Sequence, residues 1–115
     1  FLWHFRDRIY HVDCKDTRRN LGNGRNGRLG SHLPWGDPRR GWDFVSTGHG
    51  DVPWEDSFRA LDAIGYDGPI SIEWEDAGMD RLHGAAEAVG FVRSLLWKAP
   101  EASFDAAFSN QETSE

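Results

Sequence analysis

Pro69-Ile70-Ser71-Ile72-Glu73-Trp74-Glu75 alternates apolar and polar side chains residue by residue. A period of two marks a β-strand, in which successive side chains point to opposite faces. Ile70, Ile72 and Trp74 share one face, and Ser71, Glu73 and Glu75 share the other. Upstream, Arg8-Ile9-Tyr10-His11-Val12-Asp13-Cys14-Lys15 gathers β-branched and aromatic residues and reads as a strand over 8–15. There Ile9, His11 and Asp13 lie on one face, and Tyr10, Val12 and Cys14 on the other.

Trp42-Asp43-Phe44-Val45-Ser46 gives a further strand, followed by a turn at Thr47-Gly48-His49-Gly50. Asp51 is expected to cap a helix reaching about Ile64, with Pro53 in its first turn and Gly65 ending it. Trp54, Phe58 and Leu61 form its buried stripe. A last helix is expected over 80–97, capped by Asp80, with Leu82, Ala86, Val89, Val92 and Leu96 as its apolar face. Residues 1–7 read as a helix end and turn. Residues 17–41 are rich in Gly, Asn, Arg and Pro and read as a long loop of the kind that is often functional. Residues 98–115 are expected to be a mobile tail, docked at most through Phe104 and Phe108.

Alternating strands and helices predict βα units and a parallel sheet, an α/β fold. Three strands cannot close a (β/α)8 barrel, which takes eight strands and roughly 250 residues. The chain opens on Phe1 in mid-pattern and is expected to be a fragment of a longer protein, burying its core poorly when alone.

Hydrophobic residues make up 38% of the 115, with six Trp and seven Phe, so the chain is globular rather than disordered. A single cysteine, Cys14, excludes an internal disulfide and a thiolate metal cluster and fits a reducing, cytoplasmic setting. No signal peptide is visible, and no apolar run approaches the ~18 residues of a membrane span, so no membrane partner is expected. Net charge is −6, yet Arg18, Arg19, Arg25, Arg28, Arg39 and Arg40 all fall between residues 17 and 41, where Asp37 is the only acid. That local field suits a small anionic ligand or a partner subunit, such as another copy of the chain. Duplex DNA would ask for a broader basic face, so nucleic acid is not expected.

In a barrel, strands pack their outward face on helices, and that face must be apolar. The polar sets then point inward, near the strand ends where barrel enzymes build their sites. A buried carboxylate costs several kcal/mol unless it is paired or bound to a cation. An imidazole and a carboxylate converging from separate strands, His11 and Glu73, therefore suit a divalent ion: Mn, Co, Zn or Mg. The plainer alternative is that His11 is only hydrogen-bonded and Glu73 pairs with an arginine. His32 and His49 lie on loops, either solvated or facing substrate. His83 is expected at the surface, and Asp16 and Asp76 are expected to cap the segments after them. Gly22-Asn23-Gly24-Arg25-Asn26-Gly27 fits a dinucleotide glycine pattern. That site needs a helix directly after it, and Gly30, Pro34, Gly36 and Pro38 cannot propagate one.

Three stretches in order carry a family resemblance: Ile9 to Asp16, Ser46 to Trp54, and Gly65 to Glu75. Together they resemble the last three βα units, strands six to eight, of the xylose isomerase-like TIM-barrel superfamily, over roughly residues 7–97 and with 1–97 as the domain. That superfamily includes sugar phosphate isomerases and epimerases, inosose-processing enzymes, ketose 3-epimerases and endonuclease IV. The resemblance implies a four-ligand metal site with His11 as the strand-six ligand and Glu73 as the strand-eight ligand, the other two lying upstream. It implies proton transfer next to a carbonyl through an enediolate, with Glu73 as one of two catalytic carboxylates and a carbohydrate as substrate. Asp13 stands where many members have a second histidine and, by the resemblance, would contact substrate. Arg18 or Arg19 would contact substrate, and His49 would reach it from the strand-seven turn. The isolated fragment is expected to be inactive, as a binding or oligomerisation piece would be. An endonuclease IV-like repair enzyme is the enzymatic alternative, but its Asp-x-His pair near strand seven is missing, since Thr47-Gly48 precedes His49.

Overall fold

A computed structural model describes residues 1–20, 27–29 and 32–98. The glycine pattern from Gly22 to Asn26, Arg25 within it, and the tail from residue 99 with Phe104 and Phe108 lie outside the described residues. The elements run α1 (Leu2–Phe5), a 3-10 turn (Arg6–Arg8), β1 (Val12–Cys14), β2 (Asp16–Arg19), β3 (Trp42–Val45), α2 (Trp54–Ala63), β4 (Ile70–Ile72) and α3 (Arg81–Ser94).

β1 and β4 pair directly and in parallel, with Val12 opposite Ile70, Asp13 opposite Ser71 and Cys14 opposite Ile72. Val12 N–H to Pro69 O and Glu73 N–H to Cys14 O extend the ladder at both ends. The pairing joins segments far apart in sequence, with α2 carried in the connection as a parallel pair requires.

β3 departs from expectation. It is a strand, but it pairs antiparallel with β2, Thr17 opposite Phe44 and Arg18 opposite Asp43. Among the described residues the parallel set is therefore two adjacent strands, not three, with a separate ribbon beside it. The physical reason is the connection. No helix is described between Cys14 and Trp42, and a chain that reverses without a crossover can only pair antiparallel. The start of the expected 17–41 loop is thus a strand, and the expected strand over 8–15 begins only at Val12, because the 3-10 turn occupies Arg6–Arg8.

The two strand faces divide as their alternation requires. Cys14, Trp54, Phe58 and Val92 form the buried cluster, joined by Val12, Val52, Ile70, Ile72, Phe91 and Leu95. Each large apolar side chain fully buried there contributes about 1.5–3 kcal/mol. Tyr10 lies beyond the ladder and stays exposed. The α2 stripe of Trp54, Phe58 and Leu61 is buried as its spacing dictates. Its end is a Schellman turn: Gly65 has φ +71°, Tyr66 N–H donates to Leu61 O, and Gly65 N–H donates to Asp62 O.

Two capping expectations part ways. Asp80 caps α3, its Oδ1 accepting from Leu82 N–H and His83 N–H. Asp51 does not cap α2; Pro53 stands at that position and Asp51 binds Arg19 instead. The buried face of α3 is Gly84, Ala88 and Val92, while Leu82, Val89 and Leu96 remain exposed. The Trp74 indole decides this. It lies so close to Gly84 that a Cβ there would sit 2.4 Å from the ring, so only glycine admits it.

Asp16 ties these pieces together. Its carboxylate is 1% exposed and accepts five hydrogen bonds: from the backbone N–H groups of Thr17, Gly48, Gly50 and Val52, and from Trp54 Nε1 at 2.8 Å. It caps no helix; it folds the whole 47–54 turn around itself and anchors the first residue of α2. Nearby, Thr47 Oγ1 donates to Cys14 O, and Ser46 N–H donates to Asp76 Oδ2. Asp16→Ala would strand several buried donors, so we expect a loss of about 3–5 kcal/mol in chemical denaturation of the full-length protein. A loss below about 1 kcal/mol would show that the turn holds without it.

Candidate active site

The polar face of the parallel pair holds His11, Asp13 and Lys15 from β1 and its flanks, and Ser71, Glu73 and Glu75 from β4 and its continuation. His11 Nε2 lies 2.5 Å from Ser71 Oγ and 3.4 Å from Asp13 Oδ1, which fixes the imidazole between the strands. Among the described residues Glu73 pairs with neither His11 nor an arginine: Lys15 Nζ donates to Glu73 Oε1 at 2.6 Å and to Glu75 Oε1 at 2.8 Å. The bond to Glu73, then that to Glu75, raises the Lys15 ammonium above its ordinary value and keeps it charged. Lys15 also stands 4.2 Å over the Phe44 ring, so the β2–β3 ribbon supports it from a third side.

Lys15 and Phe44 are site residues that the sequence reading leaves out. A signal for Lys15 is present, because it shares the parity of His11 and Asp13. Phe44 reaches the site only through the ribbon's register, which alternation along β3 does not reveal.

Arg18, Arg19 and His49 are not gathered with His11 and Glu73. Arg18 lines an open cleft of about 400 Å³ with Asn20, Asp43, Phe44 and Asp76. Arg19 is bound to Asp51 through its backbone N–H at 2.8 Å and its Nε at 3.3 Å. His49 is bound to Glu87 on α3, whose other oxygen lies 3.7 Å from His83 Nε2. On the far face, burial and then Asp13 push the Cys14 thiol up to about 11, so it is an inert core thiol.

An imidazole beside carboxylates has the right chemistry for a divalent ion. Among the described residues, however, no three His, Cys, Asp or Glu side chains converge as a cage. Glu73 is itself engaged by the Lys15 ammonium.

The model of the xylose isomerase-like TIM barrel family matches residues 2–95, and the chain belongs to that family. The family takes in sugar isomerases and epimerases and also endonuclease IV. A relative, the uncharacterized protein YfiH of Bacillus subtilis (strain 168), is 32% identical over 91 residues, covering 76% of this chain and 29% of the relative. The chain thus spans less than a third of that protein's length. No helix among the described residues is long and apolar enough to cross a membrane.

Glu87 offers a test of the His49 placement. Its carboxyl is held below the ordinary 4.5, chiefly by the His49 hydrogen bond. A carboxyl lowered by folding adds stability above its unfolded value and loses it as pH falls through the folded one. In His49→Ala the Glu87 titration, followed by carboxyl-carbon NMR, should move up, and that acid-range loss of stability should shrink. An unmoved titration would place His49 elsewhere.

Proposed function

We propose that the protein containing this chain is a divalent-metal-dependent isomerase or epimerase. Its substrate would be a sugar, a sugar phosphate or an inositol derivative, and it would act by proton transfer next to a carbonyl through an enediolate. The observation that carries this reading is the shared polar face of β1 and β4. It offers an oriented imidazole, His11, and a half-exposed carboxylate, Glu73, from adjacent parallel strands.

Each group has a task that its surroundings support. Glu73 would take or return the proton at the substrate carbon; its side chain is 54% exposed, so it can reach a bound ligand. His11, steadied by Ser71, would offer its imidazole as a ligand together with Glu73, and Asp13 would orient that ring or contact substrate. A divalent ion, when bound, supplies the positive charge that a developing oxyanion needs. Arg18, exposed in its cleft, is the arginine best disposed toward substrate. Arg19 and His49 would join it only on leaving Asp51 and Glu87.

The test uses the full-length protein and its Glu73→Gln variant. With a panel of keto-sugars, solvent deuterium exchange at the carbon acid should fall about 10²–10⁴-fold in the variant, and bound divalent metal should fall with it. Unchanged metal content and exchange would remove Glu73 from both roles.

A further inference from the structure

We propose that the cleft beyond the C-terminal ends of β1 and β4 holds a sugar ring that carries an anionic group, with Trp35 as the surface the ring lies on and Arg18 as the partner of the anion. The inference rests on the isomerase reading above and deepens it, selecting anionic sugars from the substrates that reading allows.

The cleft has two adjoining parts. Arg18 and Asn20 border an open part of about 400 Å³, and Trp35, Trp74 and Glu75 border a largely apolar part of about 290 Å³. Asp43, Phe44, Asp76 and Ala77 line both, so the two parts join. Pockets for small ligands measure roughly 300–1,000 Å³, and the joined cleft is of that size. It lies between the chain that follows β1 and the turn that follows β4, at the strand ends where barrel enzymes bind substrate.

Trp35 is held in place before any ligand arrives. The Arg40 guanidinium lies 3.8 Å from the centre of its ring, and the Phe44 ring stands 5.0 Å away, tilted by 35°. Gly36, next in the chain, donates its N–H to Asp43 Oδ1 at 3.1 Å. Gly36 has φ +85°, and a Cβ there would stand only 2.9 Å from Ala77 Cβ, so residues 35 and 36 press against the turn after β4. Trp35 is nonetheless 52% exposed. An indole fixed on one side and open on the other can bury the C–H face of a sugar ring without first being ordered.

Charge sets which way the ligand lies. Asp43 is balanced by Arg40 Nε at 3.0 Å and accepts from Asn20 Nδ2 at 2.9 Å. Asp76 accepts from Ser46 N–H on one oxygen and from Gly78 N–H on the other. The Arg18 guanidinium makes no hydrogen bond or ion pair among the described residues, so its donors are left for a ligand. Its planar fork suits a phosphate or a carboxylate. At the other end Glu73 and Glu75 share Lys15 and repel a further anion. An anionic sugar thus puts its charge on Arg18, its ring on Trp35 and its uncharged end toward Glu73, the carboxylate proposed to move the proton.

The experiment measures binding to the full-length protein by calorimetry, with fructose, fructose 6-phosphate and glucuronate as probes, for wild type, Arg18→Gln, Trp35→Leu and Trp35→Phe. At least one of the two anionic sugars should bind wild type about tenfold more tightly than fructose, the scale of one charge-assisted hydrogen bond. Which of them does so tells phosphate from carboxylate. Arg18→Gln should bring that sugar down to the level of fructose. Trp35→Leu should weaken it about fivefold or more, and Trp35→Phe should restore most of the loss. On the unaltered protein, phenylglyoxal modification of Arg18, read by mass spectrometry, should slow several-fold with the anionic sugar bound and ignore fructose. Binding of no probe, equal affinity for all three, a preference that survives Arg18→Gln, or full affinity in Trp35→Leu would overturn the inference. Failure of the isomerase reading would show separately, as unchanged exchange in Glu73→Gln with anionic-sugar binding intact. Should a variant fail to fold, the modification rate decides alone.

Discussion

The buried carboxylate of Asp16 is the interaction on which the rest of the structure depends. It sits where the chain leaves the parallel strand β1 for the antiparallel strand β2, and its five hydrogen bonds reach across to the turn before α2. A buried charge is costly unless it is fully satisfied. This one is satisfied by backbone donors that exist in the right place only if residues 47–54 wrap around it. The network therefore sets three relations together: the direction of the ribbon, the start of α2, and the seating of Trp54 on Cys14 in the core.

With that corner fixed, the two faces of the parallel pair take on separate tasks. Val12, Cys14, Ile70 and Ile72 face α2 and α3, where apolar contact holds the strands in register. The opposite face carries His11, Asp13, Lys15, Ser71, Glu73 and Glu75, with Lys15 bridging the two glutamates. The ribbon is more than a connection. Through Phe44 it supports Lys15, and through Arg18 it borders a cleft beside Asp76. The arginine-rich character of the 17–41 stretch is largely spent on structure where it is described. Arg39 binds Asp37, and Arg40 is buried between Asp43 and the Trp35 ring.

Local rules make much of this legible. The α2 stripe, the Gly65 stop and the Asp80 cap follow from spacing and backbone chemistry within a few residues, and each stands where those rules put it. The apolar face of α3 departs from its spacing for an instructive reason. Leu82 and Val89 look like core by hydrophobicity, but the Trp74 indole needs a flat, small surface, and Gly84 supplies it. Packing volume outweighs hydrophobic character there. Asp51 shows the same limit from the polar side, since Arg19 from a distant strand takes the carboxylate that a helix start would have used.

By itself the sequence determined which residues share a face, because alternation is a property of one strand and needs no partner. It also determined the family, through three stretches in order. Only the tertiary structure decided which strands are neighbours, and so that Lys15 meets Glu73. It alone turned Trp42–Val45 into half of an antiparallel ribbon. The physical reason is that pairing partners, buried hydrogen bonds and the fit of an indole against a glycine are contacts between distant segments. Those contacts exist only once the chain has folded back on itself.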